Sequence, residues 1–144
     1  MSRPEKKDER QEHQRILVVD DEQVILDLLR RVLSREGYRV ATAVHSDEAL
    51  GLVSTECFDL AIADIGLHRV DGRDLMRRIR EASPQTALVA MTGYPADEVI
   101  SFAQDNTQGY LEKPFALEEL LAVVRRALEQ RVSCAPEAKA TPSS

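Results

Sequence analysis

The chain has 144 residues and a formal net charge of −6. This length suits one domain, since domains usually run to about 100–150 residues. The acidic balance argues against a nucleic-acid partner, which requires a basic face. The N-terminus has no apolar signal segment, and the chain has no run of about 18 apolar residues. We therefore expect a soluble, cytoplasmic protein with no membrane role.

Both ends of the chain differ in composition from its middle. Residues 1–14 contain almost nothing to bury and are predicted to be a disordered tail. Residues 131–144 are rich in Ala, Pro, Ser and Thr and are predicted to be a flexible tail or the stub of a linker. The predicted folded unit is 15–130, without internal repeats.

Short apolar runs alternate with helical patterns through this unit. Runs rich in Val, Ile, Leu and Ala, apolar at nearly every position, are typical of parallel strands covered on both faces. They predict five strands, at 16–19, 38–43, 59–63, 86–91 and 108–112. Five βα units of this regularity predict an α/β fold with a doubly wound parallel sheet. Their order is compatible with the flavodoxin-like strand order 2-1-3-4-5.

The helices are predicted from apolar stripes and from residues that begin or end a helix. Gly37 is placed to end the first helix in a left-handed conformation, and Ser46 to cap the second. The first helix is predicted to bury Val24, Ile25, Leu28, Leu29, Val32 and Leu33. A helix at 73–82 is predicted to bury Leu75, Met76 and Ile79, and one at 96–105 holds Val99, Ile100 and Phe102. The last helix, 117–130, is predicted to bury Leu117, Leu121, Val124 and Leu128.

Polar residues follow four of the strands directly. Asp20 and Asp21 follow the first strand and Asp64 the third, whereas Thr92 and Lys113 follow the fourth and fifth. The carboxyl ends of parallel strands meet at one edge, where α/β proteins bind ligands. Asp20, Asp21 and Asp64 are therefore expected to meet where strands one and three adjoin.

Three carboxylates brought together repel one another, and a bound cation relieves that repulsion. Oxygen ligands without His or thiolate favour a hard ion, and Mg²⁺ is the predicted cofactor. Lys113 and Thr92 then supply an ammonium and a hydroxyl, which phosphoryl transfer needs. Asp64 stands alone at the end of the most uniformly apolar strand, so it is the predicted nucleophile, with Asp20 and Asp21 holding the metal.

Four motifs in this order resemble the receiver domain of two-component response regulators over residues 15–130. They are Ile16–Glu22, Asp59–Asp64 followed by Asp71-Gly72, Met91-Thr92-Gly93, and Gly109–Phe115. The resemblance implies that Asp64 accepts a phosphoryl group from a histidine kinase or a phosphotransfer protein. It implies a signalling phosphoacceptor, which catalyses only its own phosphorylation and dephosphorylation and is otherwise not an enzyme.

The resemblance also assigns roles to individual residues. Mg²⁺ would be held by Asp20 or Asp21, Asp64 and the backbone carbonyl near Gly66. Thr92 and Tyr110 would be the switch pair, with Thr92 drawn toward the phosphate and the ring of Tyr110 turning inward. Lys113 would bind the phosphate, and its peptide bond to Pro114 would be cis.

The chain departs from the receiver pattern at one position of the loop after the third strand. Receivers usually carry proline four residues after the acceptor, where this chain has His68. We interpret His68 as a partly exposed loop residue, in preference to a residue with a role in proton or phosphate chemistry. The resemblance also implies that Gly66 and Tyr94 tune the lifetime of the phosphate, in a direction that the sequence leaves open.

Three other classes are disfavoured by the residues. A flavodoxin needs a glycine- and hydroxyl-rich loop after strand one, where the acidic residues here would repel phosphate. A haloacid-dehalogenase-type phosphatase needs a second aspartate two residues after the nucleophile, but Gly66 occupies that position. A P-loop NTPase needs the signature Gly-x₄-Gly-Lys-Ser/Thr, which the sequence does not contain. A non-phosphorylated scaffold receiver stays open, although intact Asp64, Thr92 and Lys113 count against it.

The predicted output is a change in protein–protein interactions. Phosphorylation would shift an equilibrium between two packings of the face formed by helix four, strand five and helix five, where a downstream protein would bind. A homodimer formed on phosphorylation is left open. Either the chain is a complete single-domain regulator, or it is the receiver of a longer DNA-binding regulator or hybrid kinase.

Overall fold

The computed structural model describes residues 14–65, 71–93 and 96–130, with the backbone alone at 71 and 72. Within these residues the chain alternates five strands with five helices. The strands are β1 (Arg15–Val19), β2 (Arg39–Ala43), β3 (Leu60–Asp64), β4 (Ala87–Thr92) and β5 (Gly109–Glu112). The helices are α1 (Gln23–Arg35), α2 (Ser46–Thr55), α3 (Asp71–Ala82), α4 (Asp97–Asn106) and α5 (Leu117–Glu129). The predicted tails, residue 14 apart, lie outside the described residues.

The strands form a single sheet in the order β2-β1-β3-β4-β5, and every neighbouring pair is parallel. This confirms the predicted α/β, doubly wound, flavodoxin-like fold. Each predicted strand end lies within a residue of the observed one, because the uniformly apolar runs stop where the chain leaves the sheet. None of the helices in the described segments is long and apolar enough to span a membrane.

Side chains of the central strands alternate between two apolar clusters, one on each face of the sheet. The α1/α5 face gathers Ile16, Val18, Ile62, Val89, Met91 and Leu111 against α1 and α5. The α2–α4 face gathers Leu17, Val19, Ala61, Ala63, Leu88 and Ala90 against α2, α3 and α4. Burying one such aliphatic side chain contributes about 1.5–3 kcal/mol, so the two clusters together fix the layers of the fold.

Helix α1 ends as the glycine at position 37 predicts. Gly37 has φ 101°, in the left-handed region that other L-residues rarely adopt. Its N–H donates to Ser34 O at 3.0 Å, and the N–H of Tyr38 donates to Leu33 O at 3.2 Å. This pair of bonds is a Schellman motif, which satisfies the last carbonyls of the helix and turns the chain into β2.

Three predictions about the helices are wrong, two about which residues are buried and one about a helix cap. Val24 is 77 % and Leu28 37 % exposed, because Val24 lies almost opposite the buried stripe of α1 and Leu28 about a third of a turn away from it. Leu117, at the first residue of α5, is 44 % exposed and outside that helix's buried face. Ser46 is the first residue of α2; His45 precedes it as N-cap, without a side-chain capping bond. The buried residues of α1 are Leu26, Leu29, Val32 and Leu33, and those of α5 are Leu120, Val124, Ala127 and Leu128.

Helix α5 packs very closely on the edge strand β5. A Cβ built at Gly109 would lie 2.6 Å from Cγ1 of Val123 and 3.2 Å from Cγ2 of Val89. Only a residue without a side chain allows this approach. The backbone of β5 is thereby held between α5 and β4, immediately before the strand reaches Lys113.

Candidate functional site

The alternation of strand side chains brings three predicted site residues over the same face of the sheet. Asp20, Asp64 and Lys113 each lie two positions beyond a member of the cluster on the α1/α5 face, which are Val18, Ile62 and Leu111. Since side chains repeat their direction every second residue along a strand, the three charged groups project to that face. They meet at the carboxyl edge of β1, β3 and β5.

Asp20, Asp21 and Asp64 form an acidic cluster. One carboxylate oxygen from each lies within 4.8 Å of the others. Asp20 and Asp64 are buried, whereas Asp21 faces solvent. A trio of carboxylates with no imidazole or thiolate is the donor set that suits a hard divalent ion such as Mg²⁺, which fills its remaining positions with water. The residues therefore fit the predicted cofactor.

The ammonium of Lys113 joins two of these carboxylates. Its Nζ donates to Asp20 Oδ2 at 2.8 Å and to Asp64 Oδ2 at 3.1 Å. Burial by itself lowers the pKa of a lysine, but the bonds to Asp20 and Asp64 outweigh burial and raise the pKa of Lys113 above its usual value. The lysine therefore stays charged, and the cis Lys113–Pro114 peptide follows directly, as the resemblance implied.

Both oxygens of Asp20 have a partner. Oδ2 accepts from Lys113, and Oδ1 accepts the backbone N–H of Glu22 at 2.8 Å. Burial raises the pKa of Asp20, and the bonds from Lys113 and Glu22 counteract that rise. The carboxylate is thus held in a fixed orientation at the beginning of α1.

Glu22 is a residue of the site that the sequence did not single out. Its Oε1 accepts from Lys113 Nζ at 3.2 Å, which makes it the third carboxylate on that ammonium. Glu22 belongs to the first motif, Ile16–Glu22. The signal in the sequence that could identify it is its position two residues after Asp20, at the beginning of a helix beside the sheet edge.

Thr92 and Tyr110 lie over the opposite face of the sheet. Thr92 is the last residue of β4, is fully buried, and pairs in register with Glu112, while Ala90 pairs with Tyr110. The backbone N–H of Lys113 donates to Thr92 O at 2.8 Å. The backbone therefore ties the residue after β5 to the end of β4.

Tyr110 is half-buried against the apolar cluster of the α2–α4 face. Its hydroxyl donates to Glu112 Oε2 at 3.3 Å. Burial and the neighbouring Glu112 carboxylate together raise the pKa of Tyr110 to about 12, because both disfavour the tyrosinate. The bond to Glu112 holds the Tyr110 hydroxyl at β5, the edge strand of the sheet.

Three residues named in the sequence predictions are not among those that the structure describes. Gly66, His68 and Tyr94 lie outside the described residues. The structure therefore brings together Asp20, Asp21, Asp64 and Lys113, and places Thr92 and Tyr110 on the other face of β4 and β5.

Comparisons with known proteins identify the family of this fold. The sequence profile of the response regulator receiver domain matches residues 16–125. Response regulator MprA of Mycolicibacterium vanbaalenii is 37% identical over 117 residues, which are 81% of this chain and 51% of that protein. The chain thus spans about half the length of the curated relatives it matches.

Solved structures give the same result. A CheY-like response regulator receiver domain protein from Methanospirillum hungatei JF-1 is 32% identical with a TM-score of 0.76, covering 81% of this chain and 94% of that one. A response regulator protein from Burkholderia pseudomallei, solved with a phosphorylated aspartic acid, a calcium ion and citrate, is 30% identical with a TM-score of 0.70, covering 91% of this chain and 72% of that one.

A parallel sheet of this order with a carboxylate trio and a lysine at its carboxyl edge defines a signalling domain of the CheY-like class. The chain belongs to the response regulator receiver domain family of two-component systems.

Proposed function

We propose that this chain is a Mg²⁺-dependent phosphoacceptor, in which Asp64 takes a phosphoryl group from a histidine kinase or a histidine phosphotransfer protein. The observation that carries the proposal is the Lys113 ammonium, which bridges Asp20 and Asp64, two members of the acidic trio. A cation fixed against the attacking carboxylate suits chemistry in which negative charge accumulates on phosphoryl oxygens. The Burkholderia relative, with its phosphorylated aspartic acid, supports the same chemistry.

In the proposed reaction a carboxylate oxygen of Asp64 attacks phosphorus. A P–O bond to Asp64 forms while the P–N bond to the donor imidazole breaks, and the imidazole leaves with the bonding electron pair. Lys113 neutralises charge on the transferred oxygens, and the hydroxyl of Thr92 donates a hydrogen bond to one of them. Asp20, Asp21 and Asp64 would hold Mg²⁺, with the carbonyl of Gly66 as a further proposed ligand. When bound, the ion supplies charge neutralisation at the phosphoryl oxygens.

The proposed response couples the site to the face formed by α4, β5 and α5. Thr92 would move toward the phosphoryl group, and the ring of Tyr110 would turn inward over Ala90, whose small side chain is adjacent in register. A two-state change of this kind alters a surface that a downstream protein recognises. A second copy of the chain is the alternative occupant of that face.

We propose 15–130 as the receiver domain, which contains the matched segment 16–125. Two forms of the native protein fit. One is a single-domain regulator or relay intermediate, which acts on proteins and not directly on DNA. The other is the receiver of a longer DNA-binding regulator or hybrid kinase, favoured by the length of the relatives. The cytoplasm is the proposed compartment, as family membership suggests. The length of the native reading frame separates the two forms.

The proposal is tested by incubating the protein with acetyl phosphate and Mg²⁺ and recording its intact mass. One phosphoryl group should be added, and both Asp64→Asn and chelation of the metal should abolish the addition. Asp97→Asn, an exposed aspartate in the first turn of α4, is the matched control and should be labelled normally. Equal labelling of Asp64→Asn would overturn the assignment, and labelling of no variant would favour a scaffold receiver.

A further inference from the structure

Lys113 has a third partner, outside the acidic trio. Its Nζ lies 3.2 Å from Glu22 Oε1, while the other two bonds go to Asp20 and Asp64. The Glu22 side chain is 62 % exposed, whereas that of Lys113 is only 16 % exposed. The ammonium therefore sits between two carboxylates of the trio and one carboxylate that faces solvent.

We propose that Glu22 is a positioning residue, which keeps the Lys113 ammonium paired when a divalent cation occupies the acidic trio. The inference rests on the proposed function, since it concerns the same metal site. It assigns a separate role to a carboxylate that is not among the candidate metal ligands.

The need for such a residue follows from competition for oxygen atoms. Lys113 bonds Oδ2 of Asp20 and Oδ2 of Asp64, and both carboxylates belong to the group that would hold the metal. An ammonium and a divalent cation a few ångströms apart repel strongly in a partly buried site. The ammonium would therefore have weaker bonds to these two carboxylates if they also held a metal, and an ammonium that is only 16 % exposed is costly to leave without a partner.

Glu22 is suited to receive the ammonium. It occupies the N-cap position of α1, yet its side chain makes no capping hydrogen bond, so the carboxylate is not needed to hold the helix. Its backbone N–H bonds Asp20 Oδ1, which fixes the residue beside the trio. Because its side chain is largely exposed, the carboxylate can follow a small movement of Lys113 outward without disturbing the core.

The first measurement is the Mg²⁺ affinity of the unphosphorylated protein, by titration calorimetry. Glu22→Gln keeps the length of the side chain but removes its charge, and we expect the dissociation constant to rise by about two- to fivefold, the scale of a partly exposed ion pair. Asp27→Asn is the matched control. It removes one charge from the same helix, at a residue bonded to the Gln23 side chain, and should leave the affinity nearly unchanged.

A second pair of variants separates positioning from simple attraction between Glu22 and the metal. If Glu22 acts through Lys113, the effect of Glu22→Gln should be smaller in a Lys113→Met background than with the lysine present. A loss in that background at least as large as in the native background would overturn the inference. Thermal unfolding of each variant confirms that it is folded.

Glu22→Asp gives an independent readout that does not depend on the lysine variant folding. The charge is kept but the side chain is one methylene shorter, so its contact with Lys113 is weakened. Positioning predicts weaker Mg²⁺ binding than in the native protein, and unchanged or tighter binding would contradict it. If the native protein binds Mg²⁺ and Glu22→Gln binds it equally well, only this inference is contradicted. Native protein that does not bind Mg²⁺ defeats the proposed function as well.

Discussion

Lys113 donates to Asp64 across 3.1 Å although 49 positions separate the two residues in the chain. The bond places a permanent positive charge against the proposed attacking group. Replacing Lys113 by Met removes that charge and keeps the apolar stem.

For Lys113→Met we expect the rate of phosphorylation by acetyl phosphate to fall by about a hundredfold, the usual effect of removing one group that stabilises an oxyanion. Initial rates from intact-mass time courses measure it. Arg126→Met, on the exposed surface of α5, is the matched control and should react normally. A Lys113→Met rate within a factor of about two of the native rate would remove the lysine from the mechanism.

Thr92 is fully buried at the end of β4, on the face that also carries Tyr110. Thr92→Ala should still accept a phosphoryl group, since Asp64 and Lys113 remain, but should lose most of the conformational response. Thr92→Ser keeps the hydroxyl and should retain it. The measurement is the change in backbone amide shifts of α4, β5 and α5 upon phosphorylation. Full shifts in the alanine variant would exclude Thr92 as the switch.

Tyr110 should ionise at an alkaline pH set in part by Glu112. Its pKa is raised to about 12 by burial and by the Glu112 carboxylate. Glu112→Gln removes the second cause, so the pKa should fall toward the usual value near 10 while burial keeps it higher. Tyrosinate absorbance, with Tyr110→Phe to assign the transition, measures the change. An unchanged midpoint in Glu112→Gln would mean that burial alone sets the pKa.

The same shift predicts the sign of a pH effect on stability. The folded pKa of Tyr110 lies above the unfolded one, so its contribution to the free energy of unfolding is complete below pH about 10. That contribution is lost as the pH rises through about 12. The native protein should lose more stability over this range than Tyr110→Phe does.

Two glycines provide opposite tests of packing. Gly109→Ala should destabilise the protein by about 1–3 kcal/mol, because the added methyl overlaps Val123 and Val89. Gly51→Ala, in helix α2, should stabilise it by about 0.5–1 kcal/mol, because nothing beyond the backbone of its own helix and its chain neighbours lies within 4 Å of the added Cβ. Urea denaturation measures both. A stable Gly109→Ala protein would show that α5 can move away from β5 at little cost.

The strands were predictable because their apolar runs end at the sheet edge, and strand order follows from regular βα alternation. Parallel pairing then gathers the strand-end residues, so the meeting of Asp20, Asp64 and Lys113 followed from their positions alone. Side chains along a strand point alternately to the two faces of the sheet, so the position of a residue at a strand end determines the face on which its side chain lies.

Helix surfaces were harder to predict. Apolar residues at the beginning of a helix, such as Val24 and Leu117, extend a helical stripe in the sequence but lie outside the buried face of their helix. The hydrogen-bond partners of long, flexible side chains could not be predicted from the sequence pattern either. The reach of Glu22 to Lys113, and of Tyr110 to Glu112, depends on how α1 and β5 lie beside the site.

Lys113 follows the last strand of the sheet, 93 residues after the aspartate it bonds. During synthesis the acidic residues therefore leave the ribosome long before their counter-charge. A chain that still lacks β5 presents its aspartates without the ammonium that completes the site. If Asp64 is the phosphoacceptor we propose, an incomplete chain would lack the lysine of the site, and only the finished domain would accept a phosphoryl group.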